Sequence, residues 1–299
     1  MTTRVGVSGW RYSPWRGVFY PEGMPQKLEL WYASRMLPAI EINGSFYSLQ
    51  RPSLFKQWYR ETPQGFMFAV KGPRFITHMK RLREVETPLA NFLASGVFAL
   101  AEKLGPILWQ FPANLHYDYD RFARFATMLP KDTQRAQKLA RRRDFRMKGR
   151  AQLAIDENRP LRHAFEIRHP SFVNSQFIEL LREHDIACVV ADTAGEFPMV
   201  CETTADFVYI RLHGESELYK SGYGARSIDK WARRIEAWRG GASRVKGKRP
   251  AKAQPLDVFC FFDNTDAKLR APVDARSLLR RLKLEVPSPP DWRTAAGRA

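Results

Sequence analysis

The sequence predicts an α/β protein built as a single (β/α)8 TIM-type barrel. Two observations carry that expectation. Eight short apolar, strand-like runs recur along the chain, and amphipathic segments separate most of them. Strand and helix alternating eight times is the pattern of parallel strands closed into a barrel with helices outside.

The runs are RVGVSGW (4–10), AIEINGSFY (39–47), GFMFAVKGP (65–73), PILWQFP (106–112), HAFEIRHP (163–170), IACVVAD (186–192), DFVYIRLHG (206–214) and DVFCFFDN (257–264). Their near-continuous apolar character suits a parallel sheet covered on both faces. The intervening segments KLELWYASRML, SLFKQWYRE, PLANFLASGVFALAEKL, DRFARFATML, SQFIELLREHD, IDKWARRIEAWR and DARSLLRRL place apolar residues at helical spacing. Residues 193–205, TAGEFPMVCETTA, contain no helical pattern, so the sixth crossover is expected to be irregular. The alternative is an open doubly wound sheet, but VGVSGWRYSPWRG after the first strand is no dinucleotide fingerprint. The expected domain runs over 1–286, with a basic insertion at 135–160 before the fifth strand, a basic loop at 239–255 and a C-terminal tail at 287–299.

With 44% hydrophobic and 13% aromatic residues, the 299-residue chain can bury a large core. No run approaches 18 consecutive apolar residues, and MTTRVGVSGW enters a strand without the apolar stretch of a signal peptide. Cys188, Cys201 and Cys260 have neither metal-ligand spacing nor the even number of a disulfide framework. A cytoplasmic protein with no membrane partner is the expectation. The net charge of +18 is concentrated: residues 135–150 hold eight Lys/Arg against one Asp, and 239–252 hold six and no acid. Such runs are usually solvated loops, yet they attract polyanions, and single-stranded nucleic acid is the partner they would suit.

Each strand ends in polar residues after an apolar body. Ser8 and Trp10 end the first, and Glu41 and Asn43 the second, with Phe46 and Tyr47 just beyond. Lys71 ends the third and Gln110 the fourth. Glu166 and Arg168 end the fifth, Asp192 the sixth, Arg211 and His213 the seventh, and Asp263 and Asn264 the eighth. In a barrel these ends form the face that carries the active site. Trp10, Tyr12, Trp15, Phe19, Tyr20, Phe46 and Tyr47 add an aromatic rim suited to stacking on a sugar or base. A self-satisfied ionic plug is the competing reading, because the acids and bases nearly balance.

These residues carry a resemblance. VSGWRYSPWRGVFYPEGMPQ, EINGSFYSLQRPS, FAVKGPRFITHMKRL, LGPILWQFPAN, FEIRHPSF, DFVYIRLHG and FFDNTDAKLRAP resemble the YecE-like family, the domain-of-unknown-function family numbered seventy-two. The resemblance runs from Arg4 to Leu282. It implies a TIM-type barrel in cytosolic bacterial proteins and no established reaction. The basic segments 135–160 and 239–255 depart from the family's pattern.

Three chemistries compete for the strand ends. A divalent metal on Glu41, Glu166, Asp192, His213 and Asp263 is disfavoured, because Lys71, Arg168 and Arg211 would compete for the same carboxylates. Metal-free hydrolysis of a phosphate- or sugar-containing substrate is preferred. There Glu41 and Glu166 serve as acid and base, His213 as proton shuttle, and Arg168 and Arg211 as anion forks, with Asp263 a further member of the catalytic set. Trp10, Tyr12, Asn43, Tyr47, Lys71, Gln110, Asp192 and Asn264 complete the expected substrate-binding set. The third reading is a binding protein for nucleic acid or another anionic ligand, without catalysis.

Overall fold

The strands follow in chain order as β1 Thr3–Ser8, β2 Ala39–Ile42, β3 Met67–Lys71, β4 Leu104–Gln110, β5 His163–Glu166, β6 Ile186–Cys188, β7 Val190–Asp192, β8 Phe207–Leu212 and β9 Asp257–Phe262. The helices are α1 Glu29–Met36, α2 Gly44–Tyr47, α3 Pro52–Glu61, α4 Glu86–Ala94, α5 Tyr119–Met128, α6 Thr133–Ala140, α7 Ser175–His184, α8 Ala225–Arg239, α9 Arg270–Arg281 and α10 Arg293–Ala296. The computed structural model describes residues 1–241, 255–265 and 270–296. The basic loop expected at 239–255 lies mostly outside the described residues.

Every strand pairing is parallel, in the order β6-β5-β4-β3-β2-β1-β9-β8-β7. The chain's first and last strands lie side by side, with Val5 opposite Cys260. Nine strands replace the eight expected, because the run 186–192 is broken at Val189. Its first half pairs with β5 and its second half with β8. Changing partner midway lets one run serve both flanks, and the sheet comes round to a nearly closed barrel. Residues 193–206 contain no helix, so the sixth crossover is irregular as expected.

Period-two alternation divides the core. Inside the barrel, Ala39, Ala69, Leu108, Ala164, Ala187, Val189, Ala191, Phe207, Tyr209, Phe259 and Phe261 form one buried cluster. Alanines line most strands, and the aromatics come from β8 and β9 alone. Phe207 meets Phe259 at 5.8 Å and Tyr209 meets Phe261 at 5.3 Å between ring centres. Small residues opposite large ones are the pattern that fills the interior of a small barrel. The alternate positions, such as Val7, Ile40, Val70 and Phe165, face the helices in a second, larger cluster.

The segment 88–104, expected as one amphipathic helix, is broken. Gly96 adopts φ +116°, and a Cβ there would lie 2.6 Å from Pro52 Cα, so the chain turns and continues as a 3-10 segment over Val97–Lys103. The basic insertion is docked. Asp132 caps α6 by accepting from the Arg135 amide, while Ala136, Ala140 and Met147 are buried. Asn91 on α4 exchanges two hydrogen bonds of 3.1 Å with Asp144. The alanine face packs against the barrel's helices while Arg141, Arg142, Arg146, Lys148 and Arg150 remain exposed. Among the described residues no helix is long and apolar enough to cross a membrane.

Candidate functional site at the barrel mouth

One step beyond the inner apolar layer, the same alternation produces a polar layer. Ala39 leads to Glu41, Ala69 to Lys71, Leu108 to Gln110, Ala164 to Glu166, Tyr209 to Arg211 and Phe261 to Asp263. These side chains therefore share the interior face at the C-terminal end of the strands.

Arg211 is the hub, with no exposed surface. Its Nη1 donates to Glu166 Oε2 at 2.6 Å, and its Nη2 to Glu41 Oε1 at 2.8 Å and Asp263 Oδ2 at 2.9 Å. Its Nε donates to Glu41 Oε2 at 3.1 Å. Glu41 also accepts from Ser8 Oγ at 2.5 Å and from Tyr209 OH at 2.6 Å. Four donors reach its two oxygens, which fills a carboxylate's capacity. Arg168 Nε donates to the outer oxygen of Glu166 at 3.1 Å, and Arg168 Nη2 donates to Tyr219 OH at 2.8 Å. His213 Nδ1 lies 3.0 Å from Asp263 Oδ2, out of line for a good hydrogen bond.

The electrostatics follow from this packing. Burial alone would push the Glu166 carboxyl up. Arg211, then Arg168, His213 and Lys71, overcome that and hold it well below the usual carboxylate range. Asp263 is likewise raised by burial and lowered further by Arg211 and the neighbouring His213, with a net downward shift. The ionised form of both is thereby favoured. Glu41 and Glu166, expected as acid and base, are both held against Arg211. Arg211 itself, expected to grip substrate, is hydrogen-bonded within its own cluster among the described residues. Its guanidinium fills the space between the three carboxylates, where a cation would otherwise sit. Among the described residues no group of three His, Cys, Asp or Glu has metal-binding geometry.

Lys71 differs from the other cations. No carboxylate oxygen lies within salt-bridge distance of its Nζ among the described residues, and the ammonium sits 4.2 Å over the Phe46 ring. Burial, helped by Arg211, lowers it to about 8. Gln110 is buried in the same layer. His78, not singled out in the sequence, packs edge-on against Phe46 at 5.1 Å, and burial together with Lys71 and Arg168 lowers it to about 4. It lies in a π-helical turn, Phe75–Met79, a device frequent at functional sites. Tyr219 and Phe197, the latter 4.9 Å from the Arg168 guanidinium, come from loops without periodicity and were also missed.

Three expected site residues are directed elsewhere. Asp192 follows the inward Ala191 by one position and so faces α8, hydrogen-bonding Trp231 and Tyr223, with burial pushing its carboxyl up. Asn264 follows Asp263 by one and donates outward to Ser221 O and Asp274 Oδ2. Trp10 is turned out of the strand at Gly9, φ +76°, and packs edge-on against Trp58 at 5.4 Å. The aromatic rim also contracts, since Trp15 and Tyr20 are fully packed away. Tyr12 and Asn43 do reach the layer. Tyr12 OH donates to Ser8 O at 2.6 Å, and Asn43 Nδ2 donates to Ser8 Oγ at 2.8 Å. Tyr47 stands exposed beyond them.

The fate of Arg168 measures how the layer is divided. Arg168→Ala removes one of Glu166's two guanidinium partners and leaves Arg211 in place. It should therefore cost about 1–2 kcal/mol rather than the larger penalty of an unpaired buried carboxylate. Urea unfolding of the variant measures the loss, and a loss well above that range would make Arg168 the main partner.

Two solved structures share the architecture. A family protein from Thermotoga maritima superposes with a TM-score of 0.70 at 23% identity, covering 95% of this chain and 100% of that one. One from Enterococcus faecalis V583 gives 0.69 at 15% identity, covering 97% and 99%. Among curated proteins, UPF0759 protein YunF of Bacillus subtilis is 29% identical over 113 residues, and UPF0759 protein YecE of Escherichia coli K12 is 28% identical over 109. Each match spans 36% of this chain, and 39% and 37% of those proteins' own length. The family model described as protein of unknown function DUF72 matches residues 4–296, and the chain belongs to that family.

Proposed function

We propose that the protein is an enzyme of hydrolase type acting on a small phosphate-bearing substrate at the barrel mouth, with Lys71 as its proton acceptor. The observation that carries this reading is a buried amine with no carboxylate oxygen within salt-bridge distance among the described residues, lowered to about 8. Perturbed amines of this kind suit general-base work, because a working fraction is neutral near physiological pH. The neighbouring carboxylates support this choice, since Glu166 and Asp263 are held below the usual carboxylate range by Arg211. Arg168, whose side chain keeps 14% exposure, is the guanidinium available to an incoming anion. A phosphate fits this cationic rim better than a neutral sugar hydroxyl does.

Competitive acetylation of the amines, followed by peptide mass spectrometry across pH, should show Lys71 reacting with a midpoint about 8. Turnover of a phosphomonoester and phosphodiester panel should rise through the same pH, and Lys71→Met should lower it at least about a hundredfold. A Lys71 midpoint at the ordinary lysine value, or full turnover by Lys71→Met, would sink the reading. Anion binding with no turnover of any panel member would leave a binding protein in its place.

A further inference from the structure

The segment 135–150 holds eight Lys/Arg against one Asp, and the fold docks it where a charge run is usually a solvated loop. Ala136, Ala140 and Met147 are buried, and Gln137 Nε2 donates to Leu153 O at 2.9 Å. Arg135, Lys138 and Arg142 fall on the opposite side of α6 and of the turn that continues it. Their i, i+3, i+7 spacing is that of one helical face, and all three are exposed. With Lys131 they line a groove of about 580 Å³, in which Glu86 and Glu183 are the acids. None of these residues belongs to the polar layer, so this surface is separate from the barrel mouth.

Two features give the partner's chemistry. The first is charge left without a counterion. Within the segment, Arg135 pairs with Asp132 and Arg146 with Asp144. Lys138, Arg141, Arg142, Arg143, Lys148 and Arg150 have no carboxylate oxygen within salt-bridge distance among the described residues. Cations held side by side in this way repel one another and attract a polyanion that neutralises them.

The second feature is Phe145, whose ring is 80% exposed with the Arg146 guanidinium 5.5 Å from its centre. It stands three residues beyond Arg142, so the two Cα atoms lie within about 11 Å of each other. The Asp144 bonds to Asn91 and the buried Met147 hold the turn that presents the ring. An aromatic face offered among guanidinia suits an unpaired base, whereas a duplex keeps its base faces covered. A lipid surface fits less well, because a membrane-surface helix inserts its apolar face and that of α6 is already buried against the barrel.

We propose that this face binds single-stranded nucleic acid, with Lys138, Arg141 and Arg142 against phosphates and Phe145 stacked on a base. The inference is independent of the Lys71 reading.

The test titrates the full chain, by fluorescence anisotropy, with a labelled mixed-sequence single strand of about 12 nucleotides and with its duplex, at several salt concentrations. Phosphatidylserine vesicles are the third probe, read by sedimentation. Phe145→Ala should weaken single-strand binding at least about fivefold, leave duplex binding within about twofold and leave the salt slope unchanged, and Phe145→Tyr should restore the affinity. Lys138→Gln, Arg141→Gln and Arg142→Gln combined should flatten the log–log salt slope by about 2, at roughly 0.7 per phosphate contact on a single strand. All four positions are exposed, and matching thermal midpoints check that the variants fold. A wild-type slope in the triple variant, or single-strand binding indifferent to Phe145→Ala, would overturn the proposal. So would tighter binding of the duplex, which assigns the face to charge alone, or binding of vesicles without oligonucleotide, which assigns it to a lipid surface.

Discussion

An Arg211→Met variant is expected to lose at least about 3–5 kcal/mol of stability, the penalty for removing one partner from a buried ion pair. The penalty is large here because three carboxylates converge on one side chain and two of them, Glu41 and Asp263, have no other guanidinium partner among the described residues. Glu41 and Glu166 have no exposed surface, and the Asp263 side chain keeps only 12%. Against a total domain stability of about 5–15 kcal/mol, such a loss empties much of the native state. Methionine fills the volume, so the missing charge and not a cavity is what the experiment reads. Adding Glu41→Gln and Glu166→Gln to Arg211→Met should recover most of the loss, because a neutral, packed replacement of a buried ion cluster is often tolerated. Urea unfolding of the three proteins measures both steps. A single variant with a wild-type midpoint would show that Arg211 does not hold the layer together.

Lys71→Met should have the opposite sign. The amine falls from its ordinary value of 10.5 to about 8 in the folded protein, a shift worth about 3 kcal/mol at roughly 1.36 kcal/mol per pH unit. Below pH 8 the folded state carries the full cost of a charged, buried ammonium. Between pH 8 and 10.5 the unfolded chain binds more protons than the folded one, so wild-type stability rises with pH. Lys71→Met removes the cost throughout. It should be more stable than wild type by about 3 kcal/mol at pH 7, with the difference shrinking to near zero above pH 10.5. Paired denaturation curves at pH 7, 9 and 10.5 test this, since groups shared by both proteins cancel. A destabilised variant at pH 7 would mean that Lys71 neutralises carboxylates and is no unpaired amine. A more stable protein that has lost turnover would fit the storage of an unfavourable group for use.

Much of the polar layer was legible because alternation along a strand is local. Once Ala164 faces inward, Glu166 must follow it, and Tyr209 fixes Arg211 in the same way. The same rule explains the misplacements, for Asp192 and Asn264 are each one position out of phase with an inward residue. Trp10 failed for another reason: a single glycine turn ended the alternation before it. The breaking of the run 186–192 could not be read, because it depends on which distant strand each half meets. Nor could the hierarchy among the cations. Charge balance names Lys71, Arg168 and Arg211 as equals, whereas depth and hydrogen bonding make one a hub, one a bridge and one a lone amine. His78, Tyr219 and Phe197 sit in a π turn and two loops, where no period announces direction.

The neighbouring of β1 and β9 has a consequence for biosynthesis. A ribosome releases Glu41 and then Glu166 before it makes their common countercharge, which follows Glu166 by 45 residues. Asp263 comes 52 residues later still, with the strand that lies against the beginning of the chain. Until Arg211 emerges, a nascent barrel would have to enclose Glu41 without a guanidinium against it and Glu166 with Arg168 as its single guanidinium partner, and that burial is unfavourable. The charge order along the chain therefore opposes early collapse of the incomplete barrel. Translation of the last strands supplies both the missing wall and the ion that lets the wall close.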